Sequence, residues 1–281
     1  MSASLNELDL LKNIMPLLPG NGQVIAGAGD DCAVLKWNGN FDLLVTVDQL
    51  IEEVHYLPET PAALAGAKLV KRNLSDIAAM GGTPLWCVLT LAGKGKSQAY
   101  WLDFMKGACA ECSRYGVALC GGDISSLPRE GAVTTLTLAG QVPAGKAVMR
   151  SGAKAGETLY VTGAVGNSFY SEHHLNFTPR LDLSESMLKE ASAMLDISDG
   201  LLLDARRLAE SSQVDLLIDS AKVPLRQGAK LPEALSDGED YELLFCGREG
   251  LPFHAIGKVL PGTGKVAVSG IKEITSYGYE H

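Results

Sequence analysis

Acidic residues in this 281-residue chain recur beside glycine or where an apolar run ends. Asp30 and Asp31 stand together in GAGDDCAVL. The apolar stretch of FDLLVTVDQL runs into Asp48, VALCGGD ends in Asp123, and DISDG carries Asp196 and Asp199. Asp76 lies inside NLSDIAAMGG. An acid that follows an apolar strand points from a sheet edge into a cleft, where ligands of α/β proteins bind. Several carboxylates sharing one cleft repel one another unless hard cations neutralise them. Mg²⁺ suits such a site, because it takes carboxylate oxygens, keeps water and bridges to substrate phosphates. The expectation is a magnesium cage of which the adjacent pair forms part. Taken singly, each Asp is more often a turn or cap residue; the joint pattern carries the reading.

Three familiar phosphate or metal motifs fail on inspection. A dinucleotide fingerprint begins at Gly27 and Gly29, but Cys32 occupies its sixth position. A calcium loop starting at Asp196 needs a glutamate where Arg207 stands. TLAGKGKS, residues 90–97, contains Gly95-Lys96-Ser97 after a strand, yet a P-loop needs glycine at the position of Thr90. That segment reads as a solvated basic loop.

The elements that must position the acids follow from the apolar pattern. Residues 4–17 read as an amphipathic helix, 41–50 as a buried strand and 61–82 as a helix opened by proline and closed by glycines. A strand (83–93), a helix (98–116) and two strands (117–123, 132–142) come next. The glycine-rich stretch 143–157 reads as a domain joint. Beyond it come a strand at 157–163, helical stretches near 184–195 and 199–212, and strands at 214–220, 241–247 and 254–260. The fold class is therefore α/β (α+β) layering in two domains, 1–142 and 143–281.

Composition bounds the partners. The chain is 46% hydrophobic and 20% charged, with a formal net charge of −9 and an isoelectric point near 5.1. No block of Lys and Arg appears, so nucleic acid and anionic membrane surfaces are excluded as expected partners. The N-terminus lacks a signal-peptide pattern and no run is long enough to span a membrane. Of the six cysteines only Cys109 and Cys112 form a C-x-x-C, with no second pair to complete a zinc set. Free thiols in a cytoplasmic protein are expected.

GAGDDCAVL, TVDQLIEEVHY, NLSDIAAMGG, CGGD, RSGAKAGE, ISDGL and GEDYELLF occur in that order along nearly the whole chain. Together they resemble the thiamine-monophosphate kinase family, within the superfamily that includes aminoimidazole ribonucleotide synthetase and selenophosphate synthetase. The resemblance implies an N-terminal synthetase-like domain with a mixed sheet, binding metal and ATP and forming a homodimer, and a C-terminal α/β synthetase-like domain. It implies ATP-dependent phosphorylation of thiamine monophosphate to thiamine diphosphate, a step in thiamine biosynthesis. Carried over by position, Asp31, Thr46, Asp48, Asp76, Asp123, Asp196 and Asp199 resemble ligands of several Mg²⁺ ions. Gly122, Asp123, Arg150 and Ser198 resemble ATP contacts, and His55, Glu239 and Tyr279 resemble the thiamine-phosphate site. The stretch between Gly166 and Asp196 looks shorter than in most relatives, and the chain stops at GYEH.

The acceptor phosphate oxygen is already ionised, so no general base and no catalytic residue beyond the metal ligands is expected. Residues 1–26 hold no cysteine, which argues against a selenophosphate synthetase, and the C-terminus lacks the cysteine-bearing tail of a hydrogenase-maturation protein. Aminoimidazole ribonucleotide synthetase and a non-catalytic metal-binding protein remain as alternative readings.

Overall fold

A computed structural model describes residues 7–271 and 277–279. In the N-terminal half, α1 (Glu7–Ile14) leads to β1 (Val24–Ala26), β2 (Ala33–Asn38) and β3 (Phe41–Ile51). Then follow α2 (Ala62–Ala79), β4 (Thr83–Lys94), α3 (Gln98–Arg114), β5 (Ala118–Ser126) and β6 (Gly131–Pro143). The strands make one sheet in the order β1-β2-β3-β6-β4-β5, antiparallel except for the parallel β4–β5 pair. This is the mixed sheet expected.

The C-terminal half contains β7 (Thr158–Val161), α4 (His173–Asn176), α5 (Ser184–Glu190), β8 (Ala191–Asp196), α6 (Leu201–Ser212) and β9 (Val214–Asp219). It closes with α7 (Leu231–Ser236), β10 (Leu243–Gly247), β11 (His254–Pro261) and β12 (Val266–Ser269). Its sheet runs β12-β9-β11-β7-β10-β8. The last strand of the first sheet ends at Pro143 and the first strand of the second begins at Thr158, on either side of the glycine-rich stretch.

Two expectations need correction. The helix expected over 184–195 stops at Glu190, and ASAMLD forms β8. Ala, Met and Leu favour a helix in isolation, but pairing with β10 and burial from Ala193 to Asp196 outweigh propensity. The basic loop is exposed at Lys94, Gly95 and Ser97, but Lys96 is not the solvated charge expected. Lys96 forms a largely buried ion pair with Glu52, Gly95 turns at φ +75°, and Ser97 caps α3 by accepting a hydrogen bond from the Tyr100 amide at 3.1 Å. The Gly-Lys-Ser triplet therefore starts a helix and has no free lysine to offer a phosphate.

One face of the first sheet carries α2 and α3, with Leu44, Leu69, Ile77, Leu89, Phe104 and Leu136 in a common core. The two helices touch backbone to backbone: a Cβ on Gly107 would lie 1.9 Å from the Ala63 carbonyl oxygen, and one on Gly66 2.0 Å from that of Phe104. Helices α6 and α7 cover one face of the second sheet. Its opposite face buries Tyr160, Met194 and Phe245 against Ala79 and Met187, so the two halves share a core. Strands β8 and β10 are thus covered on both faces, which explains their unbroken apolar runs.

All six cysteines are free thiols. Among the described residues no helix is long and apolar enough to cross a membrane.

Gly107→Ala should destabilise the protein by about 1–3 kcal/mol through overpacking of the α2–α3 contact, read as a lower urea midpoint with an unchanged m-value. An unaltered midpoint would contradict the backbone-to-backbone packing.

Candidate active site

Asp31, Asp76 and Asp196 each present an oxygen within 4.8 Å of the others, although 165 residues separate the first from the last in sequence. Asp31 precedes β2, Asp76 sits one turn from the end of α2, and Asp196 is the last residue of β8. Asp31 and Asp196 are buried and Asp76 is partly so. Burial raises the Asp76 and Asp196 pKa values far above the usual carboxylate range, and the charges of neighbouring aspartates push them the same way. Thr46 donates its hydroxyl to Asp76, and Ser75 donates to Asp196 at 2.6 Å across the joint between the halves. One oxygen of Asp31, Oδ2, is buried without a hydrogen-bond partner.

These observations test whether the residues fit Mg²⁺. The donors are hard oxygens, their mutual repulsion calls for positive charge, and one buried lone-pair site stands unsatisfied. The set fits a divalent cation.

The Asp30–Asp31 pair divides its work. Asp31 faces the carboxylate group and pairs with Arg150 at 2.7 Å. Asp30 turns away and accepts the Arg150 backbone amide on both oxygens, at 3.1 and 3.2 Å. Its pKa rises to about 7, through burial first and the Asp31 charge second. The expectation that both acids belong to the cage is corrected: Asp30 anchors the loop that carries Arg150.

The remaining expected ligands are less closely gathered. Asp48 pairs with Arg72 at 3.3 Å, and Asp199 pairs with Arg207, which also holds Asp204 at 2.8 Å. Asp123 and Gly122 lie on the exposed edge strand β5, where Asp123 is in register with Thr90, outside the triad. A Cβ on Gly122 would meet the Leu89 carbonyl at 1.6 Å, so only glycine fits there.

A cavity of about 370 Å³ brings His55, Ser198, Asp199, Glu239 and Tyr279 together. Backbone bonds stitch its walls: the Glu239 amide donates to the Ser198 carbonyl at 2.6 Å, Tyr241 to Ile197 at 2.8 Å and Tyr279 to Asp199 at 2.9 Å. Glu239 and Tyr241 hold left-handed backbone at φ +64° and +51°, strain that the stitched loops sustain. Phe169 and Tyr170 form an exposed aromatic rim.

Sequence reasoning missed the groups that set this cavity's charge. Lys68, fully buried, donates to Glu239 at 2.8 Å and to the His55 carbonyl at 2.5 Å. Burial lowers its pKa to about 8, against the opposing charge of Glu239. For Glu239, burial would raise the pKa, but the hydrogen bond with His174 and the charges of Lys68 and Arg72 outweigh it and bring it to about 2. Glu239 is an anion at neutral pH. Lys68, Arg72 and Asp76 recur every four residues along one stripe of α2, a spacing visible in KLVKRNLSD.

Comparison with known proteins places the chain first in a class and then in a family. Residues 29–142 match the family model described as AIR synthase related protein, N-terminal domain. Over 277 residues the chain is 32% identical to thiamine-monophosphate kinase of Salmonella typhimurium, covering 84% of each protein. The solved structure of AaThiL complexed with AMPPCP and TMP superposes with a TM-score of 0.88 at 32% identity, over 100% of this chain and 99% of that one. The Escherichia coli hydrogenase maturation protein HypE gives 0.68 at 13% identity, a likeness of fold alone. The chain belongs to the thiamine-monophosphate kinase family.

If the triad holds a cation, Mg²⁺ at about 100 times its Kd should stabilise the wild type by about 2.7 kcal/mol over the protein in EDTA. Asp76→Asn should melt no lower than wild type in EDTA, having lost one like charge, and should respond little to Mg²⁺. An equal Mg²⁺ response in the variant would remove Asp76 from the site.

Proposed function

We propose that the chain transfers the terminal phosphoryl group of ATP directly to the phosphate of thiamine monophosphate, giving thiamine diphosphate, with Mg²⁺ held by Asp31, Asp76 and Asp196. Thr46, Asp48 and Asp199 complete the ligand set, and Asp123 contributes from the sheet edge. Arg150, Ser198 and Gly122 contact the nucleotide; His55, Glu239 and Tyr279 contact the acceptor.

One observation carries the reading: the three-carboxylate group is built from the segment before β2 and the ends of α2 and β8, and the loop leaving β8 forms a wall of the cavity that gathers His55, Glu239 and Tyr279. When bound, Mg²⁺ would screen the repulsion between two phosphate-bearing substrates and spread charge in the transition state. The protein's own groups supply the rest. Arg150 brings a second positive charge against Asp31 at 2.7 Å, in the planar form that binds phosphate well. Glu239, kept anionic by Lys68 and His174, opposes the positively charged thiazolium ring, and Tyr241 and Tyr279 add aromatic surface that suits a cationic heterocycle. No side chain need remove a proton, because the attacking phosphate oxygen is already ionised.

A homodimer across the open face of the first sheet belongs to the same proposal. Val47 and Trp86 are exposed on that face, and α1 leaves Leu10, Leu11 and Ile14 in solvent. Sedimentation should give twice the chain mass; a single-chain species at micromolar concentration would contradict the dimer.

An ATP-coupled assay over thiamine monophosphate, thiamine and an aminoimidazole ribonucleotide precursor tests the activity. ADP release should require thiamine monophosphate, with thiamine slower by at least about tenfold, because its hydroxyl must lose a proton and it brings no phosphate. Equal rates with thiamine, or release with the aminoimidazole precursor alone, would overturn the reading.

A further inference from the structure

A kinase whose acceptor is a phosphate must hold that phosphate, and a carboxylate-rich site repels it. The cavity offers one side chain suited to the task. Among the described residues that line it, Arg72 is the only arginine or lysine. Lys68, the nearest other cation on α2, is fully buried and already engaged by Glu239, His174 and the His55 carbonyl.

Arg72 sits one helical turn before Asp76 on the same stripe of α2, so its guanidinium flanks the carboxylate group on the cavity side. Its commitments are weak. Nη1 donates to the Gln49 carbonyl at 3.2 Å and Nη2 to Asp48 at 3.3 Å, both at the long end of the hydrogen-bond range. Nε is buried and finds no acceptor. A buried guanidinium N–H left without a partner is costly, and a guanidinium has five donors in a fork that matches phosphate. Asp48 meets part of that charge, and the unmet Nε–H with the long Nη contacts leaves donors for an anionic ligand.

The cavity's other features orient such an anion. Glu239 and Tyr241 line the same cavity, and an anionic carboxylate beside an aromatic face suits a cationic ring. A ligand with its cation against Glu239 and its phosphate against Arg72 would present that phosphate beside Asp76. Thiamine monophosphate has this polarity.

We propose that Arg72 binds the phosphate of the acceptor and is the residue by which this site distinguishes thiamine monophosphate from thiamine; the inference rests on the kinase reading above.

The test compares wild type with Arg72→Gln and Arg72→Lys, each checked for folding by circular dichroism and thermal melting. Steady-state kinetics give KM for thiamine monophosphate and for ATP. Calorimetry gives the affinities of thiamine monophosphate and thiamine themselves. Losing a charged, forked contact should raise KM for thiamine monophosphate by at least about tenfold in the Gln variant and by less in the Lys variant. KM for ATP should stay within about twofold, and thiamine should bind all three proteins alike, so the preference for the phosphorylated ligand collapses. A merely structural role, such as holding Asp48, would instead lower both affinities together or raise KM for ATP, and either result overturns the proposal. If the Gln variant does not fold, the Lys variant carries the same comparison, since an ammonium keeps the charge and loses the fork. Wild type that releases no ADP with thiamine monophosphate would refute the kinase reading; active wild type with an unaltered preference in the variants would refute the Arg72 assignment alone.

Discussion

Three carboxylates within 4.8 Å of one another form the constraint around which this fold is arranged. Two are buried, and the aspartate charges oppose one another. Such a group is unfavourable in a folded chain unless something positive is supplied to it. Arg150 supplies one charge, to Asp31. The remaining demand, together with the orphaned Asp31 Oδ2, is what would make the site a receptor for cations and, through them, for phosphates under the function proposed above. On that proposal a net charge of −9 is no obstacle to binding nucleotides, because the cations would be bound first.

Convergence on that point requires both halves. Asp31 and Asp76 come from the first half and Asp196 from the second, and the Ser75–Asp196 hydrogen bond ties them at 2.6 Å. Helix α2 does most of the positioning. Its apolar face packs on the first sheet, Gly66 admits α3 against it, and its last turn enters the shared core beside Met194 and Phe245. One stripe then delivers Lys68 to the acid of the cavity, Arg72 to its wall and Asp76 to the carboxylate group. The cation that keeps Glu239 ionised and the proposed metal ligand thus belong to one rigid element, and the distance between the two is set by helical geometry.

Much of this was legible in the chain. The glycine-bearing DISDG motif located Asp196, and the proline and glycines bounding 61–82 located the helix bearing Asp76. Other features were not, for physical reasons. Nothing local separates Asp30 from Asp31; their roles diverge because the Arg150 backbone amide reaches only the first. Nothing local marks Lys68 and Arg72 as buried, since the loops that cover them lie more than 90 residues further along. ASAMLD loses the period-two alternation of a strand because both its faces are covered. Lys96 resembled a free basic residue until Glu52, 44 positions away, folded against it.

The central claim is that Asp31, Asp76 and Asp196 together hold a divalent cation during phosphoryl transfer. Anomalous diffraction from crystals of the protein grown with Mn²⁺ and a non-hydrolysable ATP analogue tests it most directly. The account predicts an anomalous peak within coordination distance of all three carboxylates, about 2–2.3 Å from their oxygens for a small hard cation. Ordered nucleotide with no manganese at the triad, its aspartates still bonded only to Thr46, Ser75 and Arg150, would contradict it.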